Sequence, residues 1–226
     1  MVIDHIDLIW SHHAVGLMFF LGRTTFPLFC YAAAVAVMKA HARPADETKK
    51  IIRRYIVRLL ALAAVTEPFY LFAMRENVAN VIFTLTAGIF FADLSYRAKP
   101  WQMYLLYTVA ILSMLWVLPL EFGLAGVFVP AAVLQVMNGN KRALPFLPAL
   151  LMVMNAGGIH TLFHANPVVW EYAGVTGLFC IILPWLVLDV ARKMSQKKRF
   201  LPKYALHAFY PGHMVILRLI WMAMHR

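Results

Sequence analysis

Apolar stretches close to the ~20 residues that a helix needs to cross a bilayer recur from one end of this chain to the other. No soluble fold hides so much apolar surface. Of the 226 residues 62% are hydrophobic and only 14% charged, against roughly 45–50% and 25% in ordinary soluble domains. The stretches fall at 1–10, 14–38, 51–72, 79–94, 101–118, 122–138, 144–159, 168–190 and 204–224. They predict an all-α, polytopic integral membrane protein of about nine transmembrane helices, the first one short. No long linker, repeat or low-complexity tract divides it, so residues 1–226 read as a single transmembrane domain embedded in the lipid bilayer.

The placement of charge sets an orientation. A formal net charge of +11 would suggest nucleic acid as the partner of a soluble protein. Here most of the 21 Lys and Arg residues gather between Lys39 and Arg58, at Arg97 and Lys99, at Lys141 and Arg142, and between Arg192 and Lys203. The connections at 11–13, 73–78, 119–121 and 160–167 are nearly free of them. That alternation obeys the positive-inside rule at every turn, which predicts the N-terminus inside and the C-terminus outside and removes the nucleic-acid reading. Cys30 and Cys180 lie in apolar runs, where thiols behave as small hydrophobes, so no disulfide framework is expected. The opening MVIDHIDLIW carries acids inside its apolar stretch and has no basic leader, unlike a signal peptide. At 1.5 Å per residue ten residues rise only about 15 Å, half the hydrocarbon core. The first helix is therefore expected to be either a half-helix that begins at mid-membrane or the remainder of a longer one.

Ionisable groups at membrane depth cost about 2.5–3.5 kcal/mol each even on lenient scales, so each one needs a reason. Counted inward from the outer ends, His5 lies about 10 Å deep, Arg23 about 14 Å and His213 about 16 Å, with Asp4 beside His5. Three separate helices thus bring polar groups to one layer. Pro27 disrupts the carbonyl of Arg23 four residues earlier, and Pro211 with Gly212 stands directly before His213. Both places are expected to be helix breaks lining a central pocket, because irregular backbone at membrane depth survives only against protein or water. Each histidine alone is equally readable as a helix-to-helix hydrogen-bonding residue. Arg23 is too deep to snorkel and is expected to be buried, either paired with Asp4 or binding an anion. Glu67, Asn80, Glu121 and Asn155 either line an outer vestibule or bond helices together. His160 and His164 share the spacing of metal ligands, but no acid or cysteine completes a zinc pattern, and His12 with His13 is equally unspecific, so no metal is expected. The basic cytoplasmic rim is mainly a determinant of topology, yet Arg53, Arg54 and Arg58 continue into a helix where they can meet phosphates.

The runs MVIDHIDLIW, MFFLGRTTFPLF and HAFYPGHMVIL, in this order and at this spacing, resemble the TraX family of membrane proteins, which acetylate the N-terminus of conjugative pilin. The firmest points are Asp4 and His5, Gly22 and Arg23 with Phe26 to Phe29, and Phe209 and Tyr210 with His213. The run EFGLAG is similar to the family's Tyr-Gly-x-x-Gly stretch with Phe122 in place of Tyr, and Asn80 followed by Ile82 and Phe83 is a looser match. The resemblance implies a bacterial inner-membrane, multi-pass acetyltransferase that passes an acetyl group from cytoplasmic acetyl-CoA to an acceptor outside. It implies an early-helix histidine in the chemistry. The acceptor is then a pilin-like N-terminus, or a sugar or another amine, and the assembly is compatible with a homo-oligomer.

On that reading His5 is the general base. Adjacent helical residues do not face each other, so Asp4 cannot orient His5 directly and a group from another helix must. Arg23 steadies the tetrahedral oxyanion or a CoA phosphate, and His213 is a second acid/base or an acceptor-positioning donor. Arg54 and Arg58 at the rim, with Asn80 and Tyr210 deeper, are the expected cofactor contacts. The alternative is a small proton-coupled secondary transporter using Asp4, His5 and His213 as a relay. A purely structural membrane subunit is the third reading.

Overall fold

A computed structural model of the chain describes residues 2–6, 9, 16–74, 78–113, 120–156, 163–164, 167–193 and 205–224. Among the described residues every regular element is helical: α1 (Val2–Ile6), α2 (Gly16–Arg23), α3 (Thr25–His41), α4 (Ala45–Met74), α5 (Val81–Arg97), α6 (Pro100–Ser113), α7 (Gly123–Met137), α8 (Phe146–Asn155), α9 (Pro167–Lys193) and α10 (Ala205–Met224). A 3-10 turn at Lys141–Ala143 leads into α8. His12, His13 and His160 lie outside the described residues, as does the side chain of Asp4. Three helical stretches are long and apolar enough to cross a membrane, at Phe20–His41, Ala45–Met74 and Val169–Val187.

The order of helices follows the apolar pattern, with two local differences. The expected 14–38 helix is divided at Thr24 into α2 and α3. The basic connection expected over 39–50 is almost entirely helical, because α3 runs on to His41 and α4 already begins at Ala45. Thr48 makes so short a turn possible: its hydroxyl donates to the Ala40 carbonyl at 2.7 Å, satisfying a C-terminal carbonyl of α3 from inside α4. Asp46 and Glu47 stand in the first turn of α4, where the helix dipole favours negative charge.

α7 is the centre of the molecule. From Ala125 to Gln135 every residue of it is buried, enclosed by α3, α5 and α8. Small residues allow this closeness: a Cβ on Gly88 would stand 2.6 Å from Pro130 Cγ, so α5 approaches α7 at a distance that no alanine permits. Ala33, Ala34, Ala92, Ala131 and Ala132 fill the same core. Helices in lipid are held by close contact of small residues rather than by hydrophobic exclusion, since lipid is as apolar as leucine. The outside fits the same solvent, with Val57, Val65, Leu178, Leu186 and Ile216 each more than half exposed. A second apolar cluster joins α4, α5 and α10 through Ala63, Tyr70, Ala73, Ile82, Tyr210 and Met214. It carries the last helix to the polar groups described next.

Candidate functional site

The two deep histidines meet. His5, 3% exposed, and His213, 7% exposed, approach with His5 Nδ1 2.8 Å from His213 Nε2, their rings parallel within 3° and 4.9 Å apart. The second nitrogen of His213 fixes the protons. Its Nδ1 lies 2.7 Å from the Phe209 carbonyl, which only accepts, so Nδ1 carries the hydrogen. In a neutral His213 Nε2 is then the acceptor, and His5 must donate from Nδ1. The lone pair of His5 is left on Nε2, the nitrogen free to take a proton. Phe209 stacks on the His213 ring at 4.9 Å, which holds its orientation.

The expected second helix break is not there. α10 runs unbroken from Ala205 to Met224 with Pro211 inside it. A proline removes one backbone donor and frees one carbonyl, and membrane helices tolerate that where neighbours make up the loss. At the first, the helix is interrupted only at Thr24, whose backbone stays right-handed helical (φ −74°, ψ −16°). At the α2–α3 junction the Arg23 carbonyl, freed by Pro27, accepts from Cys180 Sγ of α9 at 3.5 Å. Thr24 caps the interruption by donating to the Leu21 carbonyl at 2.7 Å.

Arg23 is half-buried, with its guanidinium carbon 5.4 Å from the centre of the Phe122 ring. That ring is itself stacked on Phe26 at 4.5 Å. Phe122 holds a left-handed backbone, φ 66°, immediately before α7. Gly126 one turn later makes room, because a Cβ there would lie 2.8 Å from Phe122 Cβ and 3.2 Å from Phe26 Cε1. The EFGLAG run thus builds an aromatic plate under Arg23.

Asn80 takes the helix-bonding role, one of the two expected of it. It is fully buried, and its amide donates to Glu67 Oε2 at 2.6 Å, the Ala63 carbonyl at 3.1 Å and Thr66 Oγ1 at 3.3 Å. Its oxygen caps α5 by accepting from Ile82 N at 2.9 Å. This side chain ties α4 to α5. Tyr210 is buried, its ring edge-on to His213 at 6.1 Å, and its hydroxyl has no hydrogen-bond partner among the described residues. Arg54 and Arg58 stand apart from the histidines. They line an open groove of about 370 Å³ with Ala36, Ile51, Ile52 and Tyr55 between α3 and α4.

One polar cluster has no counterpart in the sequence reading. His41 Nε2 lies 2.8 Å from Asp93 Oδ1, Arg97 Nη2 contacts both Asp93 oxygens at 2.8 Å, and Tyr96 stacks on His41 at 3.9 Å. The clamp locks the end of α3 to the end of α5. Its only trace in the sequence is an acid, Asp93, inside an apolar run.

An all-helical arrangement of the described residues, with three stretches of membrane-crossing length and paired imidazoles on α1 and α10, defines a class of helical membrane proteins. Within that class, the chain matches the family model described as TraX protein over residues 1–221, and it belongs to the TraX family. No curated protein and no solved structure matches it.

Proposed function

We propose that the protein is a membrane-embedded acyltransferase that moves an acetyl group from cytoplasmic acetyl-CoA to an amine or hydroxyl on the outer side. In this reading about nine helices cross a bacterial inner membrane, with the N-terminus inside. Family membership supports a role connected with pilin acetylation, so a pilin-like N-terminus is the leading acceptor. The observation that carries the chemistry is the His5–His213 contact at 2.8 Å.

With its Nδ1–H on His213, His5 presents Nε2 as general base toward the acceptor's N–H or O–H. His213 is the orienting group that Asp4 cannot be, as its own tautomer is set by the Phe209 carbonyl. As the acceptor atom bonds to the acetyl carbonyl carbon, its proton passes to His5 and the C–S bond breaks to release CoA. Arg23 on its aromatic plate offers a fixed positive charge to the oxyanion or to a CoA phosphate. Arg54 and Arg58 are one helical turn apart and suit the CoA polyphosphate, with the apolar floor of their groove under the pantetheine arm.

The test is direct. Purified protein given acetyl-CoA and a peptide with a free N-terminus releases CoA thiol, and acetyl-CoA raises its melting temperature. Solute flux in proteoliposomes lacking acetyl-CoA, with no thiol release, would instead favour a transporter.

A further inference from the structure

At the start of α5 lies a pair of acids from different parts of the chain. Glu67 belongs to α4 and Glu121 to the segment before α7, yet each Oε2 accepts from a successive backbone N–H. Asn80 N donates to Glu67 at 3.1 Å and Val81 N to Glu121 at 2.9 Å. The two carboxylates are thereby set next to each other on the N-terminus of α5, whose dipole favours them. Taken alone this is helix capping. Tyr210 adds an independent observation. It is 6% exposed, its oxygen is buried without a hydrogen-bond partner among the described residues, and it packs in one cluster with Val81 and Ile82, at the start of α5 where the carboxylates are held. A buried hydroxyl left unbonded is costly, and its ring touches His213.

We infer that Glu67 and Glu121, reached through the Tyr210 hydroxyl and water beside it, carry the proton collected by His5 and His213 to the outer side of the membrane. The inference rests on the acetyl-transfer reading. In that transfer the acceptor's proton moves to the imidazoles, the new bond forms at the carbonyl carbon, and the C–S bond breaks to leave CoA thiolate. Were the pair to return its proton to the thiolate, the acceptor's proton would leave as CoA thiol and neither side would gain or lose a free proton. Through the carboxylates the proton leaves outside, and the thiolate takes its own from cytoplasmic water. Each acetyl transferred then withdraws one proton from the cytoplasmic side. Chains of acids and histidines at membrane depth are established proton relays.

Proteoliposomes holding the whole protein, with acetyl-CoA and a pH-sensitive dye on its cytoplasmic face and a short peptide with a free N-terminus on the other, test this. Acetylated peptide and pH on the CoA side are followed together. The expected result is one proton lost from the CoA side per acetyl transferred. The double variant Glu67→Gln/Glu121→Gln, whose amide oxygens still accept from Asn80 and Val81, is expected to keep its affinity for acetyl-CoA. It loses roughly tenfold or more in turnover and its response to outer pH, and Glu67→Asp/Glu121→Asp restores both. Peptide acetylation without proton loss from the CoA side overturns the inference and leaves the transferase standing. Absence of any acetyl transfer overturns both, and the unmodified protein decides the matter even where the Gln variant does not fold.

Discussion

His213 offers only its Nε2 to His5, because Phe209 takes its other nitrogen and stacks on one ring face. The two histidines therefore differ in what their loss does. His5→Ala is expected to lower acetyl transfer by ~10²–10⁴, the usual share of general base catalysis, while the acetyl-CoA-induced rise in melting temperature persists. His213→Phe keeps the aromatic stack but removes the partner of His5 Nδ1–H, and a smaller loss of about tenfold is expected. Equal losses in the two variants would reverse the assignment of the base. Asn80 belongs to a different category. Asn80→Ala removes the side-chain amide that donates to Glu67, Thr66 and the Ala63 carbonyl, while the Asn80 backbone N–H still donates to Glu67, at a cost of about 1–3 kcal/mol. Unfolding in detergent checks this. The sequence marks His5, His213 and Arg23 because ionisable groups are conspicuous in apolar runs. It does not separate Asn80 from them, since a cap joining two helices and a ligand contact use the same residue type.

Among the helices, α5 and α7 depend on small residues where their neighbours come closest. Gly126→Ala puts a methyl 2.8 Å from Phe122 Cβ and 3.1 Å from Thr84 Cγ2. Neither is the far end of a flexible chain, so the aromatic plate under Arg23 must shift. A loss of about 1–3 kcal/mol is expected from overpacking, together with weakened acetyl transfer, because Arg23 follows Phe122. A stable, fully active Gly126→Ala protein would show that Arg23 does not need its plate. At this scale the sequence is legible where local chemistry decides. Pro27 and the freed Arg23 carbonyl mark an interruption at Thr24 alone. Pro211 in an equally suggestive run marks none: α10 is continuous through it and packs on α4, a tertiary contact that no local signal reveals. The His41–Asp93 clamp spans 52 residues of sequence and is likewise a product of tertiary contact.

For the molecule as a whole, the alternation of basic clusters is the feature read most directly, and the topology drawn from it can be mapped. The native thiols Cys30 and Cys180 are buried, so a cysteine introduced at Lys49 or Lys141 reports alone. Both are expected to react only with reagent on the cytoplasmic face, and a cysteine at Arg226 only with reagent outside. Labelling of Lys49→Cys and Lys141→Cys from opposite faces would refute the arrangement.

The helices are also of unequal length. α4 has 30 residues, about 45 Å, whereas α5 with 17 and α7 with 15 reach only about 25 and 22 Å. The start of α5 is fastened by Asn80 to Glu67, two turns short of the C-terminal end of α4. On the proposed topology, acyl chains beside the exposed Phe90 and Leu94 of α5 must bend inward, producing a dimple in the surrounding leaflet. The protein then becomes a gauge of its host: short-chain phospholipids relax the dimple and longer ones deepen it, so occupancy of thick and thin membrane regions is set by geometry before any partner is met.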